Sequence, residues 1–376
     1  MLHTQKASSL GRLVSLDQRR SFAAIAKRTA GVAGINRQEG PGGRSSNSGH
    51  VATVFGCTGF LGRYVVNNLG KTGTQVVTPY RGTDDERRHL KLMGDLGQIV
   101  QLRFDVRNDE QLIGSIRHSD TVINLIGKSY PTKNFTMEQS HVDIARKLAR
   151  LSKELGVSKF VHVSALGADV DSKSEFLRTK ALGEIAVREE FPEATIVRPS
   201  SIYGVEDRFW NRIGWYLKFG MVGLPIYNKG QTILRPVYVG DVAAAITRTL
   251  KDDRAAGKIV EVYGPRAYRN IQLVDLFLDV TKRFPNVWFP SKFVAKRLAD
   301  AFNLTMPFVQ ISRDEIERAY IDEIPTKNSE ILTFKDFDIT PLTVEDTILE
   351  YCRIYRPAHL QRASYHKDLK RYIEEH

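Results

Sequence analysis

Three glycines spaced by three, Gly56-Cys57-Thr58-Gly59-Phe60-Leu61-Gly62, follow directly on the apolar run Val51-Ala52-Thr53-Val54-Phe55. Such a turn at the start of a helix presents backbone N–H groups and the positive end of the helix dipole, which together can receive a pyrophosphate. The glycines let backbone and ligand approach closely. Glycine triplets also arise by chance, so the reading rests on the strand before this one and the helix, read over residues 63–69, after it. About 20 residues on, a carboxylate would bond the ribose 2′-hydroxyl of NAD, whereas an arginine would accept a 2′-phosphate. Here Val77-Thr78-Pro79-Tyr80-Arg81-Gly82 offers no acid before Asp84. Arg81 is a forked cation suited to phosphate, which favours NADPH over NADH. The alternative is an ordinary solvated loop arginine.

These residues need a sheet to hold them. Six short apolar runs precede residue 200, at 51–55, 75–78, 99–104, 121–126, 159–164 and 194–198, and several are nearly continuous in Val, Ile and Phe. Continuous apolar runs predict strands covered on both faces, and their alternation with helical patterns predicts parallel βαβ winding. Val142, Ala145, Leu148, Ala149, Leu151 and Leu155 keep helical spacing, with Gly156 where a C-cap belongs. Asp241-Val242-Ala243-Ala244-Ala245-Ile246 predicts a helix with Asp241 as its N-cap, and 258–263 a late strand. Beyond about residue 200 the alternation lapses into mixed aromatic, proline and basic residues. The fold class expected is α/β, a Rossmann-type doubly wound parallel sheet with a smaller C-terminal lobe. The divisions expected are a leader and joint at 1–47, a nucleotide-binding domain at 48–265, and a lobe with a docking tail at 266–376.

From about residue 50 to 265, these motifs resemble the short-chain dehydrogenase/reductase superfamily, in its extended or atypical branch. The resemblance implies that Asp105-Val106 contacts the adenine end and that Asn124-Leu125-Ile126-Gly127 lines the cofactor. It implies that Arg198-Pro199-Ser200-Ser201-Ile202-Tyr203-Gly204 closes on the nicotinamide end. In active members a tyrosine four residues before a lysine transfers the proton, the lysine lowers its pKa and holds the ribose, and a serine orients the substrate oxygen. Ser164 and Lys180 occupy two of those positions, but the third is Phe176, whose ring has no exchangeable proton. Ser174 or Tyr203 remain as replacement hydroxyls of different geometry. The cofactor set implied is therefore Gly56, Thr58, Gly59, Phe60, Leu61, Gly62, Arg81, Asp105, Val106, Leu125, Ile126, Gly127, Ser164, Lys180, Pro199 and Ile202, with no catalytic residue.

The net charge of +12 reads as a targeting signal rather than a nucleic-acid footprint, because half of it lies in residues 1–47. That segment is rich in arginine and serine, poor in acids and interleaved with Leu10, Leu13, Val14, Leu16, Phe22 and Ile25, as a mitochondrial transit peptide is. A disordered basic tail is the alternative. Residues 40–48 read as a flexible joint. Two cysteines, Cys57 and Cys352, exclude a disulfide framework and fit a reducing compartment. The nearest charge-free apolar run, 221–227, is far short of the roughly 18 to 20 residues a membrane span requires. His359 and His366 lack the company a zinc site needs.

The leader, the missing tyrosine and the stretches Phe160-Val161-His162-Val163-Ser164-Ala165-Leu166-Gly167-Ala168 and Arg235-Pro236-Val237-Tyr238-Val239-Gly240-Asp241-Val242 resemble the NADPH-binding accessory subunits of mitochondrial respiratory complex I. That resemblance implies a non-catalytic subunit on the matrix side of the inner membrane, near the ubiquinone-reduction module, whose partners are other complex I subunits. A free mitochondrial NADP-dependent reductase and an NADPH-sensing regulator are the alternatives. Trp288, Phe289, Phe293, Val294, Leu298 and Phe302 stand near helical spacing with Lys292, Lys296 and Arg297 between them. This stretch suits anionic lipid or a partner groove, or else a core helix of the lobe. The segment 353–370, with Arg356, Arg362, Tyr365 and Lys367, reads as too polar for a core and as reaching over a neighbour.

Overall fold

The computed structural model describes residues 43, 45–219, 223–305, 312–326 and 328–357; nearly all of the basic leader and the tail from residue 358 lie outside them. Seven parallel strands make one sheet: β1 (Val51–Phe55), β2 (Gln75–Tyr80), β3 (Ile99–Arg103), β4 (Thr121–Asn124), β5 (Lys159–Val163), β6 (Thr195–Pro199) and β7 (Ile259–Val262). Their spatial order is β7-β6-β5-β4-β1-β2-β3. The chain winds outward from β1 and then returns to place β4 on the other side of β1, with Ala52 opposite Thr121 and Phe55 opposite Asn124. Loops leaving β1 and β4 thus turn to opposite faces and leave a crevice, the usual ligand position in such sheets.

Every residue of β1 and β4 is buried, which explains their unbroken apolar runs. Alternate side chains serve the two faces. Val54, Ile123 and Val161 pack with α1 (Phe60–Lys71) on one side. Phe55, Val122 and Phe160 pack on the other, with α3 (Asp109–Ile116) and α4 (Ile144–Glu154). Between them in sequence lies the short, polar α2 (Asp84–Lys91). Asn108 caps α3 by accepting from Glu110 N at 3.0 Å and Gln111 N at 3.3 Å. Gly156, at φ +73°, follows α4 in the left-handed conformation that ends many helices.

The long α5 (Glu175–Glu190) leads into β6, and α6 (Phe209–Phe219) and α7 (Val239–Thr249) follow. Asp241 is not the N-cap of α7: Val237–Tyr238 pairs with Ile202–Tyr203 and passes straight into the helix, placing Asp241 in its first turn. There its Oδ2 accepts from Leu342 N at 2.8 Å.

A further layer comprises α8 (Asn270–Thr281), α9 (Lys292–Thr305), α10 (Arg313–Arg318) and α11 (Val344–Cys352). Tyr203, Trp210, Phe277, Ile348 and Tyr351 form its main core. Trp288 and Phe289 do not belong to α9. Val287–Trp288 pairs with Leu224–Pro225, and Pro290 keeps the preceding residue out of the helical region, so the helix begins only at Lys292. It packs through Ala295 and Ala299 against Ile316, while Phe293 (69%) and Val294 (43%) stay exposed. Residues 353–357 turn into their own lobe: buried Arg356 donates from Nε to Val280 O at 2.7 Å. The remainder of that segment lies outside the described residues.

Candidate functional site

The glycine turn sits at the C-terminal end of β1, in the crevice. Gly56 has φ +81°, and a Cβ there would stand 3.0 Å from the carbonyl of Leu125. The loops after β1 and β4 therefore touch, which brings Leu125 and Ile126 to the turn. Gly62 is packed more tightly: its Cβ would lie 2.3 Å from Gly56 O and 2.7 Å from Cys57 Cα. Gly59 N donates to Gly56 O at 3.0 Å and closes the turn. The N-terminus of α1 has neither a side-chain cap nor an acid in its first turn, so its positive end is uncompensated by the chain. Thr58 and Phe60 are half-buried, and Leu61 is buried. Cys57 is fully buried, its Sγ donating to Pro79 O at 3.3 Å, and burial pushes its thiol up to about 12. That contact ties the turn to the end of β2.

Arg81 leaves β2 exposed, its guanidinium 5.6 Å from the centroid of the Phe135 ring. Among the described residues no carboxylate pairs with it. Asp84, the first acid in sequence, is bound by Arg87 at 2.7 Å. Arg107 lies 4.9 Å over the same Phe135 ring. Two cations thus flank one aromatic ring, a pairing the sequence reading missed because Phe135 and Arg107 come from separate loops. Asp105, just beyond β3, accepts from Arg107 N at 3.0 Å, and Val106 is buried behind it.

At the opposite end of the crevice Lys180 is buried, and its Nζ donates to Val163 O at 2.9 Å. Burial lowers its pKa to about 8. A Cβ on Gly127 would meet that Nζ at 3.1 Å, so Gly127 and Lys180 are neighbours. Ser164 is buried at the end of β5, its Oγ without a hydrogen-bond partner among the described residues; an orphan of this kind suits a ligand. Leu166 N donates to Pro199 O at 2.8 Å, placing Pro199 beside the Ser164 loop. Ile202 is tied instead to Val237 by the short strand pair. Together, a helix N-terminus without a cap or acid of its own, glycines that admit a close ligand, an arginine just after β2 with no carboxylate partner among the described residues, and Ser164 without a hydrogen-bond partner among them fit a dinucleotide.

Phe176 lies in the first turn of α5, its ring edge-on to His141 at 5.4 Å between centroids. Neither replacement hydroxyl is available. Ser174 Oγ caps α5 at Leu177 N and donates to Asp314 Oδ2 at 3.0 Å. Tyr203 OH is buried in the lobe's core, donating to Thr343 O at 3.2 Å. Arg198 is a structural residue: it forks onto Glu184 at 2.9 and 2.7 Å, with Glu261 at 3.7 Å, and holds β6 to α5 and β7.

Two buried histidines complete the site. His141 Nε2 accepts from Lys128 N at 3.2 Å, which leaves Nδ1 to donate to Thr179 Oγ1 at 2.8 Å. His162 Nδ1 meets Asn124 Nδ2 at 3.2 Å. Burial first, then the charge of Lys180, holds His141 down at about 2 and His162 at about 3. The unfolded chain takes up these protons below its ordinary histidine pKa of about 6.5, whereas the folded chain refuses them, so stability falls with pH in that window. Unfolding in urea at pH 7 and pH 5 is expected to show a loss of about 2 kcal/mol per histidine. A His162→Asn variant with the same pH dependence as the parent would refute this.

Residues 52–262 match the NAD dependent epimerase/dehydratase family. The chain is 40% identical over 340 residues to the mitochondrial NADH-ubiquinone oxidoreductase 40 kDa subunit of Neurospora crassa, covering 90% of this chain and 88% of that one. It is 43% identical over 319 residues to the mitochondrial NADH dehydrogenase (ubiquinone) 1 alpha subcomplex subunit 9 of Mus musculus, covering 84% and 83%. The counterpart of that name in Arabidopsis thaliana is 42% identical over 339 residues, covering 87% and 83%. Among solved structures, the dTDP-glucose 4,6-dehydratase DesIV of Streptomyces venezuelae with NAD bound superposes with a TM-score of 0.61 at 17% identity, covering 81% of this chain and 96% of that one. This last likeness is one of fold.

Proposed function

Since the chain belongs to the NAD dependent epimerase/dehydratase family, and to that of the mitochondrial NADH dehydrogenase (ubiquinone) alpha subcomplex subunit 9, we propose that it is an accessory subunit of respiratory complex I that holds NADPH without turning it over. The observation that carries the reading is Phe176. The proton donor's place is filled by a ring, and the two hydroxyls that could replace it are engaged, Ser174 at Asp314 and Tyr203 at Thr343. Arg81, unpaired at the ribose end with Arg107 beside it, supports the phosphorylated cofactor over NAD. When bound, the nucleotide would supply a hydride-transferring ring; what this chain supplies is the cradle at the N-terminus of α1, Arg81 for the 2′-phosphate and Lys180 for the ribose. A ligand that binds only the folded state adds stability with the logarithm of its concentration over Kd, so retained NADPH would hold the subunit together without chemistry.

No helix among the described residues is long and apolar enough to cross a membrane. Phe284 (88%), Phe289 (53%) and Phe293 (69%) are exposed on the lobe, with Arg297 5.3 Å over the Phe293 ring. These exposed aromatics support peripheral attachment to other subunits and adjoining lipid, which on the family's reading lie at the matrix side of the inner membrane.

Native electrophoresis of mild-detergent mitochondrial extracts, followed by extraction of nucleotide from the assembly, tests the reading. Comigration with the NADH-oxidising band and release of NADPH are expected. Migration as a monomer or homo-oligomer would overturn it in favour of a free reductase or sensor, and release of NAD alone would overturn the cofactor assignment. Any NADPH-dependent turnover that survives Lys180→Ala would point to a true enzyme with another acid.

A further inference from the structure

The loop leaving β6, residues 200–204, is not held by the sheet alone. Ser201 donates from both N, at 3.1 Å, and Oγ, at 2.5 Å, to a single oxygen of Glu323, Oε1, while its own carbonyl accepts from Val237 N at 3.0 Å. The other oxygen, Glu323 Oε2, accepts from Arg235 N at 3.1 Å. Glu323 belongs to the segment that follows α10, 122 residues beyond Ser201. One carboxylate from the lobe therefore joins three donors from two loops, and Ile202, next in the chain to Ser201, takes its position from that contact.

The segment is fastened along its length. Thr232 Oγ1 donates to Ala319 O at 2.6 Å, Ile233 N to Asp322 Oδ1 at 2.8 Å, and Glu323 N to Ile233 O at 2.9 Å. At its far end Thr326 donates from N at 2.9 Å and from Oγ1 at 2.8 Å to the two oxygens of Glu261, which is buried in β7. Glu261 in turn shares Arg198 with Glu184, one turn along α5 from Lys180. The segment is thus bonded at one point to the loop of Ile202 and at another to the ion cluster behind Lys180, the two regions expected at the nicotinamide half of the cofactor. At its start it continues α10, whose Ile316 packs on Ala295 and Ala299 of α9.

We infer that Glu323 is a positioning residue of the nucleotide site, through which occupancy of that site and seating of the α9–α10 part of the lobe form one linked equilibrium. The inference rests on the reading of the crevice as a nucleotide site and extends it to regulation. A loop held in its binding geometry by a contact from the lobe takes nucleotide only in the fraction of molecules that make the contact, and the apparent Kd rises as that fraction falls. Linkage is reciprocal, so bound nucleotide favours the seated lobe by the same factor. Phe293, exposed on α9, belongs to the seated part, so attachment through it depends on the nucleotide. A neutral isostere breaks the contact. Glutamine offers one acceptor oxygen, and its amide nitrogen is a donor. Whichever way that amide faces, a backbone N–H, of Ser201 or of Arg235, meets another donor.

Hydrogen exchange of the full-length protein is followed by mass spectrometry with and without saturating nucleotide, NADPH and NADH in parallel, beside fluorescence titration with both. In the parent, nucleotide is expected to slow exchange over residues 313–326 about fivefold. In Glu323→Gln the Kd is expected to rise about tenfold, and the protection of 313–326 to be lost even at saturating nucleotide. Thr326→Val removes one donor to Glu261 and alters no residue of the loop; it is expected to raise Kd severalfold, and it carries the test if Glu323→Gln fails to fold by circular dichroism. Parent-like Kd in the folded variants, with only a lowered unfolding temperature, would make Glu323 purely structural and overturn the inference. Protection of 313–326 that persists in Glu323→Gln also overturns it, since the nucleotide would then act on the lobe directly. A parent that binds NADH and not NADPH refutes the cofactor reading alone, because the coupling is then read with NADH; a parent that binds neither overturns both.

Discussion

Replacing Gly62 with alanine is expected to cost about 3 kcal/mol of stability and to abolish nucleotide binding. The added Cβ would stand 2.3 Å from Gly56 O, 2.7 Å from Cys57 Cα and 2.7 Å from Cys57 O. All three are backbone atoms, so no side-chain rotation relieves the clash. The turn cannot move outward cheaply, because Gly56 already abuts the Leu125 carbonyl and the Cys57 thiol is held at Pro79. Either the turn or the start of α1 must therefore shift, and the N–H groups at that helix start would lose the geometry a pyrophosphate needs. Gly114→Ala is the control: its Cβ would meet nothing within 4 Å, and in the interior of α3 it is expected to be neutral or to stabilise by up to about 1 kcal/mol. Thermal unfolding and nucleotide content measured side by side check both. A Gly62→Ala protein that retained its nucleotide would show that the turn is not the cradle.

Arg81→Glu is expected to weaken NADPH binding by about 100-fold while leaving NADH within about threefold. A charge-assisted hydrogen bond contributes about 1.5 to 3 kcal/mol, and a carboxylate in its place repels a 2′-phosphate, while each 1.4 kcal/mol is a factor of ten in affinity. The selectivity of the effect is the informative part. Arg81 has no carboxylate partner among the described residues, so its loss should not disturb the fold. Arg107, 4.9 Å over the same Phe135 ring, should retain part of the attraction, and Arg107→Ala is expected to give a smaller drop of the same kind. Fluorescence titration with the two cofactors separates the cases. Equal loss of both would mean that the variant damages the site generally, and loss of neither would place the 2′-phosphate elsewhere.

Much of the frame was legible in the chain because its signals are local. Strands β1 and β4 announce themselves as unbroken apolar runs since both their faces are covered, and the glycine turn follows β1 within two residues. Ser164 and Lys180 stand at recognisable distances along the sequence, and the structure brings them to one end of the crevice, with Lys180 bonded to the carbonyl next to Ser164. Where local pattern failed, a partner distant in sequence had overridden it. Trp288 continues the helical spacing of α9 on paper but pairs with Pro225. Asp241 looks like a helix cap and instead holds Leu342, 101 residues away. Arg356 looks too polar for an interior, yet finds the carbonyl of Val280 there.

The sequence alone determined the residues of the candidate site: a turn of three glycines opening α1, an arginine just after β2, and a phenylalanine four residues before Lys180. These follow from residue type at fixed short spacing, and no packing could give Phe176 a proton. Only the tertiary structure decided what surrounds that ring. Ser174 and Tyr203 were open as substitutes until folding set one against Asp314 and the other against Thr343, each about 140 residues away in the chain. Arg318, invisible as anything but a helix arginine, lies 4.3 Å over the Phe176 ring and 3.6 Å from Asp314 because the lobe lays it there. Hydrogen-bond supply and demand in a crevice is settled by contacts between segments remote in sequence, and such contacts leave no periodic trace along a chain.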